Sequence, residues 1–439
     1  MSGARLSVVV VGVTMTALAV SGCQASVGAT QPSVTESSST SGQTPAATAT
    51  SGPVRVDVTV KNDAKNVAPS TPLKVTVTDG RIDSVTLTTE RGAVVPGTQQ
   101  DGTWVLGRTL APDTGYLLTV MATGTDGGST TVTRAFRTLK PRVEATYRVT
   151  PDGQTVGVGM PVSVVFDSAV TTPEHRAAVE KAIGLTITPA QTGSWGWSSN
   201  THLYWRPRTF WKAGTKVVVK APLAGLQTGD SKFIGEDKSA TFTVGPARIS
   251  KVDLKKHQMT VAENGKLVAT YPISGGLNVP KYVTRSGVKV ITEKHDTLTM
   301  DAATLGVKED DPDYYKLTVN YAMRVTNTGE FLHSAPWSVW AQGRSNVSHG
   351  CVNMGPRDAK AMYESSKIGD VVIFVGSNRQ FKPGEGLDVW TYDWPAWQAR
   401  SARVAANPAA PGKTATTPAA TPGADTTSAT STTATARAS

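Results

Sequence analysis

The sequence predicts a mainly β protein, in which two β-sandwiches precede a third, predominantly β domain. Short segments that alternate polar and apolar residues recur at close spacing from Pro53 onward, Gly, Asp and Pro residues separate them, and few stretches favour a helix. At roughly 150 residues per domain, the chain of 439 residues is long enough for about three domains.

The N-terminal segment has the organisation of an export signal. Met1–Arg5 carries one positive charge, and Leu6–Val20 is uncharged and mainly apolar. This run is shorter than the about 20 residues that a membrane-spanning helix needs, which is typical of a signal peptide. It ends in Val20-Ser21-Gly22-Cys23, which resembles a bacterial lipobox. We therefore predict a lipoprotein signal peptide over 1–22.

The same motif predicts where the protein is found. Diacylation of Cys23 would anchor an exported protein on the cell membrane, facing the periplasm or the cell wall. An ordinary secreted protein with an unmodified Cys23 is the alternative. With Cys23 lipidated, Cys351 has no partner for a disulfide, and a lone thiol in an exported protein is a candidate reactive group.

Two segments have compositions that cannot bury enough apolar surface to fold. Residues 23–52 are rich in Ser, Thr, Ala, Gly and Pro, and residues 401–439 are rich in Ala, Thr and Pro, with no aromatic residue in either. We interpret the first as a disordered tether and the second as a disordered tail. The folded part is then expected between Pro53 and Arg400.

Two immunoglobulin-like domains are predicted over 53–140 and 141–247, from strand patterning alone. The predicted strands of the first are Val54–Val60, Leu73–Thr78, Ser84–Thr88, Thr103–Leu106, Tyr116–Ala122 and Thr130–Phe136. Those of the second are Glu144–Val149, Gly159–Phe166, Leu203–Arg206, Lys216–Lys220 and Ala240–Val244, with a helix over Pro173–Ile183. Four tryptophans of the second domain favour core packing over a glycan-binding platform: Trp195, Trp197, Trp205 and Trp211.

The third domain is predicted over 248–376. Asn264-Gly265 favours the type I′ turn of a hairpin spanning Met259–Ile273, because both central residues of that turn need positive φ. A helix is expected over Pro356–Ser366, and the continuous apolar run Val371–Val375 is typical of a buried strand.

The segment 377–400 carries three tryptophans within eight positions: Trp390, Trp394 and Trp397. Such a density of aromatic side chains predicts a C-terminal strap that packs against a neighbouring domain. A helical and an extended strap are both compatible with the sequence.

The candidate chemistry lies between His333 and Asn353. A free thiol has a pKa of about 8.5, so Cys351 needs a base to become a nucleophile at neutral pH. His349 would share a strand face with Cys351 only in an extended segment, whereas His333 could fold back across the intervening loop. Gly350 allows close backbone approach and could present an N–H to a developing oxyanion, and Asn353 could orient a neighbouring group.

The pattern His333-x₁₄-Ser348-His349-Gly350-Cys351-Val352-Asn353 resembles the signature of the L,D-transpeptidase catalytic domain, the YkuD-type fold. The resemblance covers Ala247 to Gly376, and the upstream sandwiches are similar to those of actinobacterial members with tandem immunoglobulin-like domains. It implies a YkuD-type predominantly β catalytic domain that acts on peptidoglycan stem peptides without a cofactor. It further implies tetrapeptide acyl donors, a Cys thioacyl-enzyme, 3→3 cross-links and inactivation by carbapenem inhibitors.

The resemblance also implies residue roles. Cys351 would be the nucleophile and His333 the general base, whose ring Ser334 would orient through its backbone carbonyl. His349 and Gly350 would line the site, with backbone N–H groups near Gly350 and Cys351 forming the oxyanion hole. In this family a mobile lid covers the site; here it corresponds to about 296–321. The implied substrate-binding residues are Met300, Tyr314, Tyr315, Trp337, Ser348 and Asn353.

Two other function classes remain open at this stage. His333, His349 and Cys351 could ligate zinc in an exported cell-wall peptidase, although the sequence lacks an HExxH motif. A non-catalytic wall-binding protein would use the sandwiches and leave the thiol unused. The net charge of +10 is spread along the chain, and there is no phosphate-binding loop or basic run with interleaved aromatics, so no nucleic-acid partner is predicted.

Overall fold

The computed structural model describes residues 53–405, except Asp313. The predicted signal peptide, the whole of the predicted tether including Cys23, and residues 406–439 of the predicted tail lie outside these residues. Strands are the predominant secondary structure of the described chain and far outnumber helices, in agreement with the predicted mainly β class. No helix within the described residues is long and apolar enough to cross a membrane.

The first sandwich consists of two four-stranded sheets, with strand orders β1-β3-β6-β5 and β2-β8-β7-β4. Its strands are β1 Arg55–Val58, β2 Ala64–Val67, β3 Lys74–Thr78, β4 Gly80–Thr89, β5 Thr98–Gln100, β6 Thr103–Val105, β7 Gly115–Gly124 and β8 Ser129–Thr138. Strict alternation explains the packing of β7, since Leu118 and Val120 are fully buried between the sheets while Leu117 and Met121 face outward.

The second sandwich has two main sheets of orders β10-β12-β15-β14 and β11-β19-β16-β13, and a small sheet β17-β18-β9. Its elements are β9 Val143–Ala145, β10 Tyr147–Thr150, β11 Thr155–Val156, β12 Val162–Phe166, α1 Pro173–Ala182, β13 Gly184–Thr188, β14 Gly193–Trp197, β15 His202–Pro207, β16 Lys216–Ala221, β17 Gln227–Gly229, β18 Lys232–Ile234 and β19 Lys238–Val244. Thr172 caps α1 by accepting from the His175 N–H. The four predicted core tryptophans are all buried.

The third domain contains a nine-stranded sheet of order β23-β28-β20-β21-β22-β27-β26-β25-β24. Its elements are β20 Arg248–Asp253, β21 Gln258–Glu263, β22 Lys266–Ser274, β23 Gly287–Val290, β24 Glu293–Asp301, β25 Lys316–Arg324, β26 Phe331–Ser334, β27 Val352–Met354, α2 Pro356–Ser365 and β28 Val371–Val375. Asn264 and Gly265 have φ of 51° and 81°, so the predicted hairpin turn between β21 and β22 is present.

The strap returns from the third domain to the second sandwich and ends in two short helices, α3 Trp394–Gln398 and α4 Ala402–Ala405. The guanidinium carbon of Arg206 lies 4.6, 5.5 and 5.1 Å from the ring centroids of Trp390, Trp394 and Trp397. The Trp390 indole N–H donates to the Gly159 carbonyl at 2.7 Å. The strap therefore packs through its aromatic residues, with a short helix rather than an extended segment at its end.

The first residues of the predicted tail are packed rather than free. Ser401 and Ala402 are buried, and the Ser401 hydroxyl and the Ala402 N–H both donate to the buried carboxylate of Glu180. A boundary after Arg400 thus falls inside a packed segment. The composition of this segment could not indicate that it is packed, because the packing depends on a buried acceptor, Glu180, that lies far away in the sequence.

The central feature for function is the parallel pairing of β26 with β27. Its register places Leu332 opposite Val352, His333 opposite Asn353 and Ser334 opposite Met354. Both strands are buried on both faces and are very short, so neither has the alternating pattern that identifies a strand in sequence. This pairing brings the two halves of the sequence motif to the same part of the sheet.

The predicted lid corresponds to the β24–β25 hairpin and its connection. These two strands pair in antiparallel fashion from Glu293 opposite Arg324 to Asp301 opposite Lys316. Charged and threonine side chains along both strands concealed them from pattern analysis, whereas the connection at 306–315 carries the charged run that predicts a loop.

Candidate active site

Cys351 lies immediately before β27, among apolar side chains of the hairpin and of β26. It belongs to a buried cluster with Met300, Val319 and Phe331. Its Sγ donates to the Gly329 carbonyl at 3.4 Å. Burial raises the pKa of the thiol to about 12, while the backbone N–H of Phe331 opposes this rise. The resting group at neutral pH is therefore a thiol rather than a thiolate.

His333 is held in one tautomer by the neighbouring backbone. Its Nδ1 lies 2.9 Å from the Ser334 carbonyl oxygen, which can only accept, so Nδ1 carries the proton and Nε2 keeps its lone pair. Burial lowers the pKa of His333 to about 4, against a smaller opposing effect of the same carbonyl. The ring is consequently neutral at pH 7 and available to accept a proton through Nε2.

The turn before Cys351 is fixed by Ser348. Its hydroxyl donates to the Cys351 carbonyl at 2.6 Å and accepts from the Gly350 N–H at 3.1 Å. Gly350 has φ of 129°, a conformation that disfavours any residue with a Cβ. Because Ser348 occupies the Gly350 N–H here, a role of that N–H in an oxyanion hole stays a prediction.

Cys351 and His333 line one cavity of about 340 Å³. The same cavity is lined by Met300, Tyr315, Leu317, Trp337, Ser338, Trp340, Val347, Ser348, His349 and Asn353. Trp337 and Trp340 are 52% and 67% exposed at its rim. The apolar walls explain the burial effects on the two catalytic candidates, and they suit a peptide or another extended ligand more than a free ion.

The predicted site residues divide into three groups by position. Most of the substrate-binding candidates line this cavity, as given above. Ser334 contacts the site through its backbone carbonyl, which bonds to the His333 ring. Gly350 lines an adjacent cavity of about 150 Å³, and Tyr315 and His349 line both cavities. Tyr314 does not line either cavity, because its side chain turns towards Asp301, where desolvation and then the nearby carboxylate raise the tyrosine pKa.

Asn353 has a structural partner inside the site. Its side-chain N–H donates to the Ser338 hydroxyl at 3.0 Å, and that hydroxyl donates to the Ala335 carbonyl at 3.2 Å. These bonds fix the short 3₁₀ turn Pro336–Ser338, which carries Trp337 beside the His333 ring with centroids 6.1 Å apart. Asn353 thus holds the turn that forms this wall of the cavity, and its predicted contact with substrate stays a prediction.

Sequence reasoning missed several cavity residues, among them Leu317, Ser338, Trp340 and Val347. Trp340 offered a usable signal, since it follows Trp337 by three residues in a segment that also contains His333. The others are ordinary residues that only the folded chain brings to the cavity. Within the described residues, no group of three or more His, Cys, Asp or Glu side chains is arranged to hold a metal ion.

Two families match separate parts of the chain. Residues 64–227 match the bacterial Ig domain family, and residues 247–374 match the L,D-transpeptidase catalytic domain family. L,D-transpeptidase 2 of Mycobacterium tuberculosis is 35% identical over 354 residues, covering 80% of this chain and 85% of that protein. L,D-transpeptidase 5 of the same species is 35% identical over 362 residues, covering 80% and 78%.

Solved structures give similar identities over a smaller share of the chain. An L,D-transpeptidase in complex with imipenem is 35% identical, covers 54% of this chain and all of its own, and has a TM-score of 0.46. L,D-transpeptidase 3 of Mycobacterium tuberculosis with a faropenem-derived adduct is 34% identical, covers 53% of this chain and 98% of its own, and has a TM-score of 0.44.

Proposed function

This chain belongs to the L,D-transpeptidase family, and from that premise we propose that it is a peptidoglycan L,D-transpeptidase that forms 3→3 cross-links. Its acyl donors are tetrapeptide stems, and Cys351 carries the acyl group as a thioester. One observation carries the proposal: Cys351 and His333 line the same cavity, with the His333 tautomer fixed by the Ser334 carbonyl so that Nε2 can act as a base.

The acylation step uses a neutral thiol and a neutral imidazole. Sγ of Cys351 attacks the carbonyl carbon that precedes the terminal D-residue of the donor stem, and the thiol proton moves to His333 Nε2 as the S–C bond forms. The scissile C–N bond then breaks, and the imidazolium returns the proton to the leaving amino group. Because the pKa values of about 12 and about 4 disfavour a preformed ion pair, proton transfer accompanies the attack.

The second step releases the acyl group to an acceptor stem. The acceptor's side-chain amine attacks the thioester carbonyl, the new N–C bond forms and the C–S bond breaks. One proton leaves the amine through His333 and restores the Cys351 thiol. The half-exposed aromatic rim of Trp337 and Trp340 gives both stems a hydrophobic surface at the mouth of the cavity.

The experiment measures covalent adducts by intact mass, with Cys23→Ser so that Cys351 is the sole thiol of the chain. We expect a tetrapeptide donor, or a carbapenem whose strained lactam a thiol can open, to add to Cys351 in the presence of EDTA, and the donor with an acceptor to yield 3→3 dimers. Cys351→Ala should form no adduct.

The alternatives give different results in the same experiment. A zinc peptidase would lose activity with the chelator and would form no thioester, and a wall-binding protein would show neither an adduct nor turnover. An adduct on a residue other than Cys351, or no adduct on the protein that retains Cys351, would overturn the proposed function.

We further propose that diacylated Cys23 anchors the exported enzyme on the cell membrane. The support is the sequence Val20-Ser21-Gly22-Cys23 after an apolar run, which lies outside the described residues. Residues between Cys23 and Pro53 would then form the tether between the anchor and the folded domains.

A further inference from the structure

Four charged side chains, three of them buried and the fourth partly exposed, form ion pairs next to the turn that contacts the Cys351 thiol. Glu330 accepts from Lys289 Nζ at 2.5 Å and from Arg285 at 3.0 Å, and Arg285 also donates to Glu385 at 3.0 Å. Lys289 is fully buried, and Glu330 and Arg285 are nearly so. These four residues, called the ion cluster below, hold two positive and two negative charges and balance one another.

Glu330 is joined directly to both backbone groups that touch the sulfur. The carbonyl of Gly329, on one side, accepts from Sγ at 3.4 Å, and the N–H of Phe331, on the other side, lowers the pKa of the thiol. The turn at Gly329–Phe331 therefore offers a hydrogen-bond acceptor to the thiol and a donor to the thiolate. Glu330 lies between these two groups, and its side chain holds the turn in place.

The remaining atoms of these two peptide groups are fixed as well. The Glu330 N–H donates to the Thr326 hydroxyl at 3.0 Å, and the Glu330 carbonyl accepts from the Val325 N–H at 3.0 Å. Since each peptide group is planar, fixing its outer atom sets the direction of the atom that faces Sγ. The carboxylate then ties this turn to β23 through Lys289 and to the preceding loop through the Arg285 backbone N–H, at 3.0 Å.

We propose that the ion cluster positions the Cys351 thiol and sets the electrostatic potential at its sulfur. The proposal rests on the function argued above and assigns Lys289 and Glu330 as positioning residues, which act through the turn and touch no substrate. A buried ion cluster is not needed for stability alone, because well-packed apolar side chains of similar volume are often at least as stabilising.

The sign of each contribution follows from charge. The Glu330 carboxylate raises the pKa of Cys351 because it disfavours a second negative charge nearby, and the Lys289 ammonium lowers it. The other charged or titratable groups around the sulfur are Arg324, Tyr315, His333 and His349. Removing a positive charge from the cluster should therefore raise the pKa of the Cys351 thiol, and removing a negative charge should lower it.

The test measures the rate at which iodoacetamide alkylates Cys351 at pH 8, in the full chain with Cys23→Ser. The thiolate attacks the methylene carbon, an S–C bond forms and iodide leaves, so far below the thiol pKa the rate follows the thiolate fraction. A shift of one pKa unit changes that fraction tenfold, partly offset by the altered nucleophilicity of the thiolate.

We expect Lys289→Met to slow alkylation about three- to tenfold, since Glu330 keeps Arg285 as its partner and stays charged. The double variant Lys289→Met with Glu330→Gln, which removes one charge of each sign, should return the rate to within about twofold of the starting protein. Glu385→Gln should accelerate alkylation modestly, because it leaves part of the Arg285 charge unbalanced.

Lys294→Met is the matched control. The Lys294 ammonium is also partly buried, but it donates to the Tyr363 and Ser366 carbonyls on α2 and the residue after it, not to Glu330. Its loss should leave the alkylation rate unchanged. Faster alkylation of Lys289→Met would indicate that the substitution loosens the packing around Cys351 rather than changing the charge near it, and would overturn the proposal. A double variant that is alkylated as slowly as Lys289→Met would also overturn it.

Folding of the variants does not limit the test. Circular dichroism establishes whether Lys289→Met is folded, and if it is not, the partly exposed Glu385→Gln carries the test by the direction of its effect. An unchanged or slower rate in Glu385→Gln would then overturn the proposal. Because the reagent is a simple alkylating agent, this result is independent of whether the protein acts on peptidoglycan.

Discussion

The indole N–H of Trp397 donates to the carbonyl of Ser194 at 3.0 Å, and so joins the C-terminal strap to strand β14 of the second sandwich. The ring is fully buried against Gly196, where a Cβ would lie 2.8 Å from the indole. The strap that follows the catalytic domain is therefore part of the hydrophobic packing of a different domain.

Trp397→Ala should destabilise the folded protein, because it leaves a cavity and removes the indole hydrogen bond at this contact. We expect the free energy of unfolding to fall by about 3–5 kcal/mol, as for other buried aromatic residues replaced by Ala. Chemical denaturation followed by circular dichroism measures the change. Trp340→Ala, at an exposed tryptophan, should alter stability by less than about 0.5 kcal/mol, and equal losses in the two variants would contradict the prediction.

Removal of residues 377–439 should lower thermal stability and impair turnover, whereas removal of 406–439 should change neither. The first deletion exposes the surface that Trp390 and Trp397 cover, and the second keeps the bonds from Ser401 and Ala402 to Glu180. Differential scanning calorimetry and cross-linking assays on both chains give the comparison. Matching melting temperatures in the two shortened chains would refute this view of the strap.

His333→Ala should reduce the rate constant of acylation by about 10²- to 10⁴-fold, with a small effect on donor binding, because a general base acts in the transition state. Single-turnover measurements of adduct mass separate the two quantities. His295→Ala is the matched control, since this histidine is partly exposed on the β24–β25 hairpin and bonds to Glu293. A loss confined to binding affinity would argue against His333 as the base.

The pH dependence of acylation should reflect the lowered pKa of His333. Its neutral ring is the active form, so activity should be retained down to about pH 5 and lost as the pH falls through about 4, rather than through the ordinary histidine value of 6.5. Carbapenem acylation rates between pH 3.5 and 8, at times short of unfolding, test this. Loss of half of the acylation rate near pH 6.5 would show that the His333 ring has an ordinary histidine pKa, and would contradict the prediction.

The same shift has a consequence for stability. The folded pKa of His333 lies below the unfolded value, so its contribution is fully present above pH 6.5 and is lost as the pH falls from 6.5 towards 4. We expect His333→Gln to flatten this part of the stability profile, as measured by denaturant titration at several pH values. An unchanged slope between pH 6.5 and 4 would contradict the assignment.

Gly350→Ala should impair acylation, because φ of 129° strains any residue with a side chain and would move the turn that carries Cys351. Space is not the obstacle, since the nearest atom to the added Cβ would be the Tyr282 carbonyl oxygen at 3.6 Å. Gly355→Ala provides the control at φ of −60°. Adduct formation as fast in Gly350→Ala as in Gly355→Ala would show that the turn tolerates the strain.

Cys23→Ala should release the exported protein from the membrane, because the acyl chains that anchor it would have no attachment site. Fractionation of cells and partitioning into detergent measure the release, with the unsubstituted chain as control. Unchanged partitioning of the variant would reject the lipid anchor.

Much of the architecture was accessible from sequence because its physical signals are local. Alternation in segments such as Leu73–Thr78 identified strands of the sandwiches, Asn264-Gly265 identified a hairpin turn, and the apolar run Val371–Val375 matches β28 residue for residue. The spacing from His333 to Asn353 identified the motif of the family that residues 247–374 match. Each of these signals depends on residues that are neighbours in the chain.

The tertiary structure alone decided what depends on distant residues. The sequence determined that Cys351 and His333 belong to one motif, but their neutral state follows from burial in the folded domain. For Cys351 this burial comes partly from the β24–β25 hairpin, whose strands carry no clear pattern. The sequence likewise contains no sign that Lys289 meets Glu330 or that Ser401 reaches Glu180. Desolvation and long-range hydrogen bonding depend on the packed environment of a group, which the order of residues around it does not specify.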